Sequence, residues 1–340
     1  GSLTLFTGLP SLFQPYIGDL ADRANLRYFA VLTPALTATI MSMIGLAPSL
    51  GVLILMVTIV GFSSATFHAP APVIITRLSG RRIGTGLSLF TMGGELARTI
   101  GPLAIVSAVA WWGLEGSYRL VVIGWAGSAL LFWRLRGVPL NGPQRAQPAL
   151  GKILVEMRPA MAPIFGITLA RTFLLQCLAV YLPTFITSEG GSLFSGGAAL
   201  AVLEAAGVAG TLTGGILSDH WGRPRVLTIA FLTSPLLMFL LLAVRGWLVF
   251  PVLALLGFTS LSTMPVMMAM VMERFVENRT TASGVFMAIT FVAGSLATLS
   301  IGFVGDHWGL RYAFAGSAVI MALGVPVIRA LGSAVAKVEA

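Results

Sequence analysis

The hexapeptide Gly18–Arg23, of sequence GDLADR, recurs 197 positions later as Gly215–His220, of sequence GILSDH. Two further landmarks recur in the same order, a tryptophan followed by a glycine and an arginine followed by a glycine. Their pairs are Trp111 with Trp308 and Arg82 with Arg279. The three features recur in the same order, each about 197 positions later, which indicates that the chain consists of two homologous halves.

The composition is that of a membrane protein. Of the 340 residues, 56% are hydrophobic and only 10% are charged, whereas soluble domains carry about 25% charged residues. A chain this apolar cannot cover its surface with polar groups, so lipid must be its main solvent. Apolar runs of helical length alternate with polar breaks and predict eleven transmembrane helices. The predicted spans are 3–18, 28–47, 51–75, 85–112, 117–135, 160–187, 196–217, 226–244, 247–272, 282–304 and 311–331.

The basic residues orient these spans. If 18–28 is cytoplasmic, sixteen of the 21 Lys and Arg residues fall on that side, and Arg119, Arg245 and Arg311 fall on the other. Cytoplasmic loops collect Lys and Arg, so this bias sets the orientation and explains the net charge of +9 without nucleic acid. Both copies of the hexapeptide are then cytoplasmic, which predicts parallel repeats of six helices each. The first half shows five spans, so we expect one further helix to precede this chain.

Residues 18–27, GDLADRANLR, resemble the signature loop between helices 2 and 3 of major facilitator transporters, and 215–225 resemble its second copy. The resemblance implies an all-α membrane protein of the major facilitator fold, with two parallel-repeat helix bundles and eleven of twelve transmembrane helices present. The expected domains are an N-terminal bundle at 1–135, a cytoplasmic linker at 136–159 and a C-terminal bundle at 160–340.

In this family the signature loop is a conformational latch that holds helix 2 against helix 11. Asn25 stands where the family often has glycine. The alternative is a polar turn that only satisfies helix ends. The latch residues that the resemblance implies are Gly18, Asp22, Arg23, Arg27, Gly215, Asp219, Arg223 and Arg225.

A narrower resemblance lies in 61–102. The segment GFSSATFHAP at 61–70, the Gly-Arg loop GRRIG at 80–84, Met-Gly-Gly at 92–94 and Gly-Pro at 101–102 are similar to the fosmidomycin-resistance branch of the superfamily. That branch implies proton-driven drug efflux across a bacterial inner membrane. Two departures are the alanine between His68 and Pro70 and the missing Gly-Gly after Gly101-Pro102, where an antiporter motif would continue.

Five His, Glu and Arg residues lie well inside predicted spans, away from the span ends: His68, Glu95, Arg98, Arg171 and Glu204. Charges at membrane depth cost at least ~2.5–3.5 kcal/mol, so each needs a reason. Glu95 and Arg98 lie one helical turn apart and can pair directly. The pair is either a structural neutralisation or a proton site, Glu95, with a switchable partner. Glu204 is a second proton-site candidate or a polar anchor, and His68 is either a titrating group or a packing residue beside Pro70.

Arg171 suits the anionic group of a substrate, since a guanidinium binds two acidic oxygens at once. The alternative is an ion pair with Glu95 or Glu204 across the bundle. Further candidate substrate-binding residues are Gln14, Gln176, Phe67 and Phe173.

The leading hypothesis is a monomeric secondary transporter that exchanges a small amphiphilic or anionic compound for protons by alternating access. The close rival is an uptake carrier for an organic anion, and a hypothesis of another class is a non-transporting sensor or assembly protein on the same fold. The sequence has no Walker loop, and its three histidines lack metal-ligand spacing. We therefore expect no enzymatic activity, cofactor, metal or nucleic-acid partner.

Overall fold

The computed structural model of the chain describes residues 9–23, 26–138 and 150–339, and this part of the chain is helical with no β-strand. A 3-10 turn at Leu9–Phe13 leads into the first α-helix. The α-helices are α1 Gln14–Arg23, α2 Leu26–Ser42, α3 Leu50–His68, α4 Ala71–Ser79, α5 Ile83–Trp112, α6 Val121–Leu135, α7 Leu150–Gln176, α8 Leu182–Ser188, α9 Leu193–Trp221, α10 Arg223–Ala243, α11 Val249–Leu261, α12 Thr263–Arg274, α13 Arg279–Trp308, α14 Leu310–Ala322 and α15 Gly324–Glu339.

These helices confirm the predicted all-α membrane fold. Within the residues that the structure describes, seven helical stretches are long and apolar enough to cross a membrane, and they lie at seven of the predicted spans. Four further stretches, at 9–23, 26–42, 83–112 and 115–135, lie at the other four predicted spans. Large apolar side chains cover the exterior, as Leu103 and Ile123 show with exposed fractions of 67% and 68%. In a bilayer these side chains contact acyl chains rather than water.

Helix α7 begins earlier than the sequence suggested. It starts at Leu150, ten residues before the predicted span and inside the segment predicted to be the linker. Ile153 and Met157 are buried on one face, whereas Lys152 and Glu156 are exposed on the other and form an i, i+4 ion pair of 4.0 Å. This amphipathic extension has too few apolar residues to be predicted as part of a transmembrane segment from the sequence.

Three of the long spans are interrupted. Between α3 and α4 the chain passes Pro70, which cannot donate a backbone hydrogen bond. Between α7 and α8, Cys177–Tyr181 form a π-helical turn, a feature found frequently at functional sites. Between α11 and α12 the helix breaks at Ser262, three residues before Pro265. Backbone groups freed at such breaks need partners, because the surrounding lipid offers none.

The chain forms two compact units. Unit 1 comprises Gly1–Leu78, Ile100–Met157 and Val271–Phe291. In it α2 packs on α3 and α6. The hydroxyl of Ser63 on α3 is buried between them, where it donates to the carbonyl of Thr33 at 3.0 Å and accepts from the hydroxyl of Thr37 at 2.8 Å.

Unit 2 comprises Ser79–Thr99, Arg158–Met270 and Val292–Ala340. Its most extensive helix pair is α9 with α11. Glycines on α9 permit the close approach, since a Cβ atom on Gly210 would lie only 2.0 Å from the carbonyl oxygen of Phe258. At the end of the unit where α8 lies, Phe185 stacks on Phe314 with ring centroids 4.5 Å apart.

Candidate functional site

Four of the predicted intramembrane charges belong to unit 2. Glu95 and Arg98 lie on α5 and Glu204 on α9, each near the middle of its helix, and Arg171 lies on α7, five residues before the end of that helix. Because charged groups at membrane depth are costly, each of the four needs a partner or a function.

Glu95 and Arg98 form the ion pair that their spacing predicts. A terminal guanidinium nitrogen of Arg98 donates to Oε2 of Glu95. The two partners differ in burial, since the side chain of Arg98 is 66% exposed and that of Glu95 only 12%. The arginine therefore lies at the open edge of the pair and can leave the carboxylate with little rearrangement of its surroundings.

Arg171 is buried, and its hydrogen bond goes to a hydroxyl rather than to a carboxylate. The side chain is 7% exposed, and Nε donates to Oγ1 of Thr263 at 2.5 Å. Thr263, the first residue of α12, was not singled out by the sequence, where it is one more threonine in an apolar segment. A bond through Nε leaves the two terminal Nη groups of Arg171 to other partners.

One carboxyl oxygen of Glu204 has unusual surroundings. Its Oε2 is buried and has no hydrogen-bond partner within the part of the chain that the structure describes. A carboxylate oxygen that is buried without a donor is strongly unfavourable. A buried oxygen without a donor would suit a carboxyl group that binds a proton or another ligand during part of a transport cycle.

Gln176 and Tyr181 connect the π-helical turn to α13. The side-chain nitrogen of Gln176 donates to the hydroxyl of Thr298 at 2.6 Å and to the carbonyl of Gly294 at 3.3 Å. The hydroxyl of Tyr181 donates to the carbonyl of Thr298 at 2.9 Å. The amide of Gln176 is thus engaged with protein, while Phe173, one turn earlier on α7, is half-buried.

The remaining predicted site residues, His68, Phe67 and Gln14, belong to unit 1. His68 ends α3, and its ring meets that of Phe67 edge-on with centroids 5.5 Å apart. Gln14 begins α1 and is 3% exposed. Its Oε1 is buried with no hydrogen-bond partner in the described ranges, so this amide has unused capacity to accept a hydrogen bond.

The second copy of the signature loop caps a helix. Asp219, at the end of α9, accepts hydrogen bonds from the backbone nitrogens of Gly84 and Thr85 at 2.9 and 2.7 Å and from the hydroxyl of Thr85 at 2.6 Å. These nitrogens belong to the first turn of α5, which otherwise has no partners for them. Arg223 completes the cluster with an ion pair to Asp219 at 2.7 Å.

Glycine allows this cap to form. A Cβ atom on Gly215 would lie 2.3 Å from the carbonyl oxygen of Gly84, and one on Gly84 would lie 2.6 Å from the carbonyl oxygen of Gly215. Any side chain at either position would separate α9 from the start of α5. Arg225, also predicted as a latch residue, is exposed.

The first copy makes the corresponding backbone approach in unit 1. A Cβ atom on Gly18 would lie 2.5 Å from the carbonyl oxygen of Thr280, at the start of α13. Arg27 donates to the carbonyl of Val138 at 2.9 Å. The side chains of Asp22 and Arg23 lie outside the described part of the structure.

The described residues contain no group of three or more His, Cys, Asp or Glu side chains that could hold a metal ion. Long apolar helices, several of them broken, with ionisable groups near their centres, define a polytopic helical membrane transporter.

The chain belongs to the major facilitator superfamily, whose family model matches residues 2–242 and 205–337. The fosmidomycin resistance protein of Escherichia coli K12 is 24% identical over 96% of this chain and 82% of its own length. The predicted resemblance to the superfamily and to its fosmidomycin-resistance branch is thereby confirmed. The family and fold are those of transporters, which are not enzymes.

Solved structures agree on the fold. The Escherichia coli fucose:proton symporter FucP superposes with a TM-score of 0.80 at 15% identity, covering 96% of this chain and 90% of its own. The human organic anion transporter MFSD10 superposes with a TM-score of 0.76 at 15% identity, covering 96% and 82%.

Proposed function

We propose that this chain is a proton-coupled transporter that exports a small amphiphilic or anionic compound by alternating access, as a monomer in a bacterial inner membrane. The observation that carries the proposal is that Arg171, Glu204 and the Glu95–Arg98 ion pair all belong to unit 2, where Arg171 and one oxygen of Glu204 are buried. An exchanger must bind proton and substrate in competition or link them through one switching element, and these residues include both acids and bases for that purpose.

Arg171 is the proposed binding group for the substrate's negative charge. It is buried, so an incoming anion meets a guanidinium that is already poorly hydrated. Its hydrogen bond goes to the neutral Thr263, so no carboxylate has to be displaced from Nε before the anion binds.

Glu95 is the proposed proton carrier. When Glu95 is charged it holds Arg98, and when it takes a proton it releases Arg98. In this proposal the freed guanidinium then acts on Arg171 and Glu204, which belong to the same unit. Glu204 is the rival proton site, because its Oε2 is buried without a hydrogen-bond donor in the described ranges.

The comparisons support different parts of this proposal. The fosmidomycin resistance protein supports export, and the human organic anion transporter supports an anionic substrate. The fucose:proton symporter supports proton coupling but also favours the rival, an uptake carrier for an organic anion. The same fold serves both directions, so direction has to be measured.

The test uses the complete protein in proteoliposomes loaded with a pH-sensitive dye, with fosmidomycin as the probe anion. We expect fosmidomycin to drive proton movement in the opposite direction. Glu95→Gln, which mimics the protonated acid, should abolish this proton movement but leave fosmidomycin binding measurable. Glu115→Gln, at an exposed glutamate in a 3-10 turn, is the matched control and should behave as wild type.

Other outcomes decide against parts of the proposal. Proton movement in the same direction as fosmidomycin would establish uptake, and no coupled movement of any kind would favour a non-transporting protein. If Glu95→Gln keeps wild-type proton coupling and Glu204→Gln loses it, the proton carrier is Glu204 and not Glu95.

A further inference from the structure

The helix that contains Thr263 is broken close to its middle. Helix α11 ends at Leu261 and α12 begins at Thr263, with Pro265 in the first turn. Proline has no N–H group, and its ring clashes with the carbonyl four residues earlier, which here belongs to Leu261. The hydroxyl of Thr211 on α9 is 3.3 Å from that carbonyl and donates to it. The break is therefore stabilised by side chains from a neighbouring helix.

Thr263 is completely buried at this break and has two hydrogen-bond partners. Its Oγ1 donates to the carbonyl of Ser260 at 2.6 Å and accepts from Nε of Arg171 at 2.5 Å. A hydroxyl has only one proton to donate. Because that proton is used on Ser260, a lone pair of Oγ1 is held toward Arg171, and the hydroxyl can only accept from the guanidinium.

We propose that Thr263 is a positioning residue that orients Arg171 for an organic anion with two or more acidic oxygens, such as a carboxylate or a phosphonate. With Nε held by Thr263, the planar guanidinium can rotate little about its axis. Its two terminal nitrogens then present parallel N–H groups that match two oxygens on one acidic group. This inference rests on the proposed anion site at Arg171 and adds the substrate's chemical class and the residue that selects it.

The break in the helix explains why such a hydroxyl is available. In an unbroken helix a threonine hydroxyl that bonds back to a carbonyl is usually incidental to packing. Here the first residue of α12 contacts the charged group of Arg171 on α7 at a helix break, and substrates of transporters commonly bind at such breaks. Hydrogen bonds to a charged partner are also stronger than neutral ones.

The test compares Thr263→Val, which keeps the shape and removes the hydroxyl, with Thr263→Ser, which keeps the hydroxyl. Thr259→Val is the matched control, because Thr259 lies on α11, bonds back to the carbonyl of Leu255 and contacts Ser234 instead of Arg171. The measured quantity is the Kd of the purified complete protein for fosmidomycin and for its uncharged phosphonate diester, without a proton gradient.

We expect Thr263→Val to weaken fosmidomycin binding by roughly 10-fold or more, as for the loss of a hydrogen bond to a charged group. Thr263→Ser and Thr259→Val should bind within about twofold of wild type, since neither removes a bond to Arg171. The diester should bind all four proteins alike, because it lacks the charge that Arg171 recognises. In the Arg171→Ala background, Thr263→Val should have no further effect on fosmidomycin binding.

Each contrary result has a definite meaning. If Arg171→Ala weakens fosmidomycin binding but Thr263→Val does not, the anion site stands and the positioning role of Thr263 is wrong. Equal losses for fosmidomycin and the diester, or additive effects with Arg171→Ala, would make Thr263 a structural residue only. Wild-type affinity in Arg171→Ala, or no fosmidomycin binding by the wild type, would overturn both the anion site and this inference.

Discussion

The two copies of the Gly-Asp loop share one backbone contact, and among their described side chains they differ in the arginine that follows each loop. In each copy a glycine, Gly18 or Gly215, lies against a carbonyl at the start of a long helix, that of Thr280 or of Gly84. Around the second copy, Asp219 caps that helix. The shared glycine contact indicates that the close approach of one helix to the start of another is the common element of the repeat.

The same contacts indicate which residues at the start of α13 correspond to residues at the start of α5. If the carbonyls of Thr280 and Gly84 are equivalent, then Thr281 corresponds to Thr85, the residue that donates both its backbone N–H and its hydroxyl to Asp219. Asp22 stands in the sequence where Asp219 stands in the second half. Asp22 and Asp219 are therefore the two acids to compare by substitution.

The largest effect is expected at the glycines. Gly215→Val and Gly18→Val would each place a branched side chain where even one carbon atom would lie 2.3 or 2.5 Å from a carbonyl oxygen. Overpacking of this kind costs up to about 3 kcal/mol even where neighbours relax, and backbone relaxes poorly. We expect each variant to lose nearly all transport in proteoliposomes.

Matched controls exist in the same units. Gly197 on α9 and Gly127 on α6 have open space where a Cβ would be added, so valine there should leave transport close to wild type. Activity retained in Gly18→Val but lost in Gly215→Val would show that the glycine contact is needed in one copy only, which would break the comparison.

A smaller effect is expected from the acids. Asp219→Asn keeps an acceptor for the helix start but loses the charge that pairs with Arg223, whose side chain is only 10% exposed. Charged hydrogen bonds contribute about 1.5–3 kcal/mol, so the balance between inward- and outward-open states should shift by roughly 10–100-fold. Labelling of single cysteines placed at each mouth of the transport path measures that shift.

Asp22→Asn tests whether the first copy of the loop has the same role as the second. If both copies are latches for the same state, the two substitutions should change labelling in the same direction. Unchanged labelling in Asp22→Asn beside a clear change in Asp219→Asn would mean that the first loop is only a polar turn.

The fold could be predicted from the sequence because helices that face lipid consist of long apolar runs, and such runs form a clear pattern. In the described part of the chain, helical stretches lie at each of the eleven predicted apolar runs. The division into two homologous halves, which the 197-residue offset indicates, stays a prediction. The start of α7 was missed because the amphipathic turn around Ile153 is helical for reasons of packing at the membrane surface, which a count of apolar residues does not detect.

The site was predicted only in part. Charges inside apolar runs are visible in a sequence, so Glu95, Arg98, Arg171 and Glu204 could be found. Thr263 could not, because threonine is common in apolar helices and its role depends on the partner that the fold brings to it, 92 positions away. The only local signal was Pro265, which predicts a break but says nothing about the group that uses it.

The smallest effect is expected at the arginines that follow the two loops, where the copies differ most. Arg27 donates to the carbonyl of Val138 at 2.9 Å, at the end of the first half, whereas Arg225 is exposed. Arg27→Gln should lose that bond and destabilise the protein by about 1 kcal/mol, whereas Arg225→Gln should stay within about 0.5 kcal/mol, as for most surface substitutions. Thermal unfolding in detergent, with transport measured in parallel, distinguishes the two. A larger loss in Arg225→Gln than in Arg27→Gln would show that Arg225 contributes to the latch, as the sequence resemblance implied, and that the second loop uses it in a state other than the one described here.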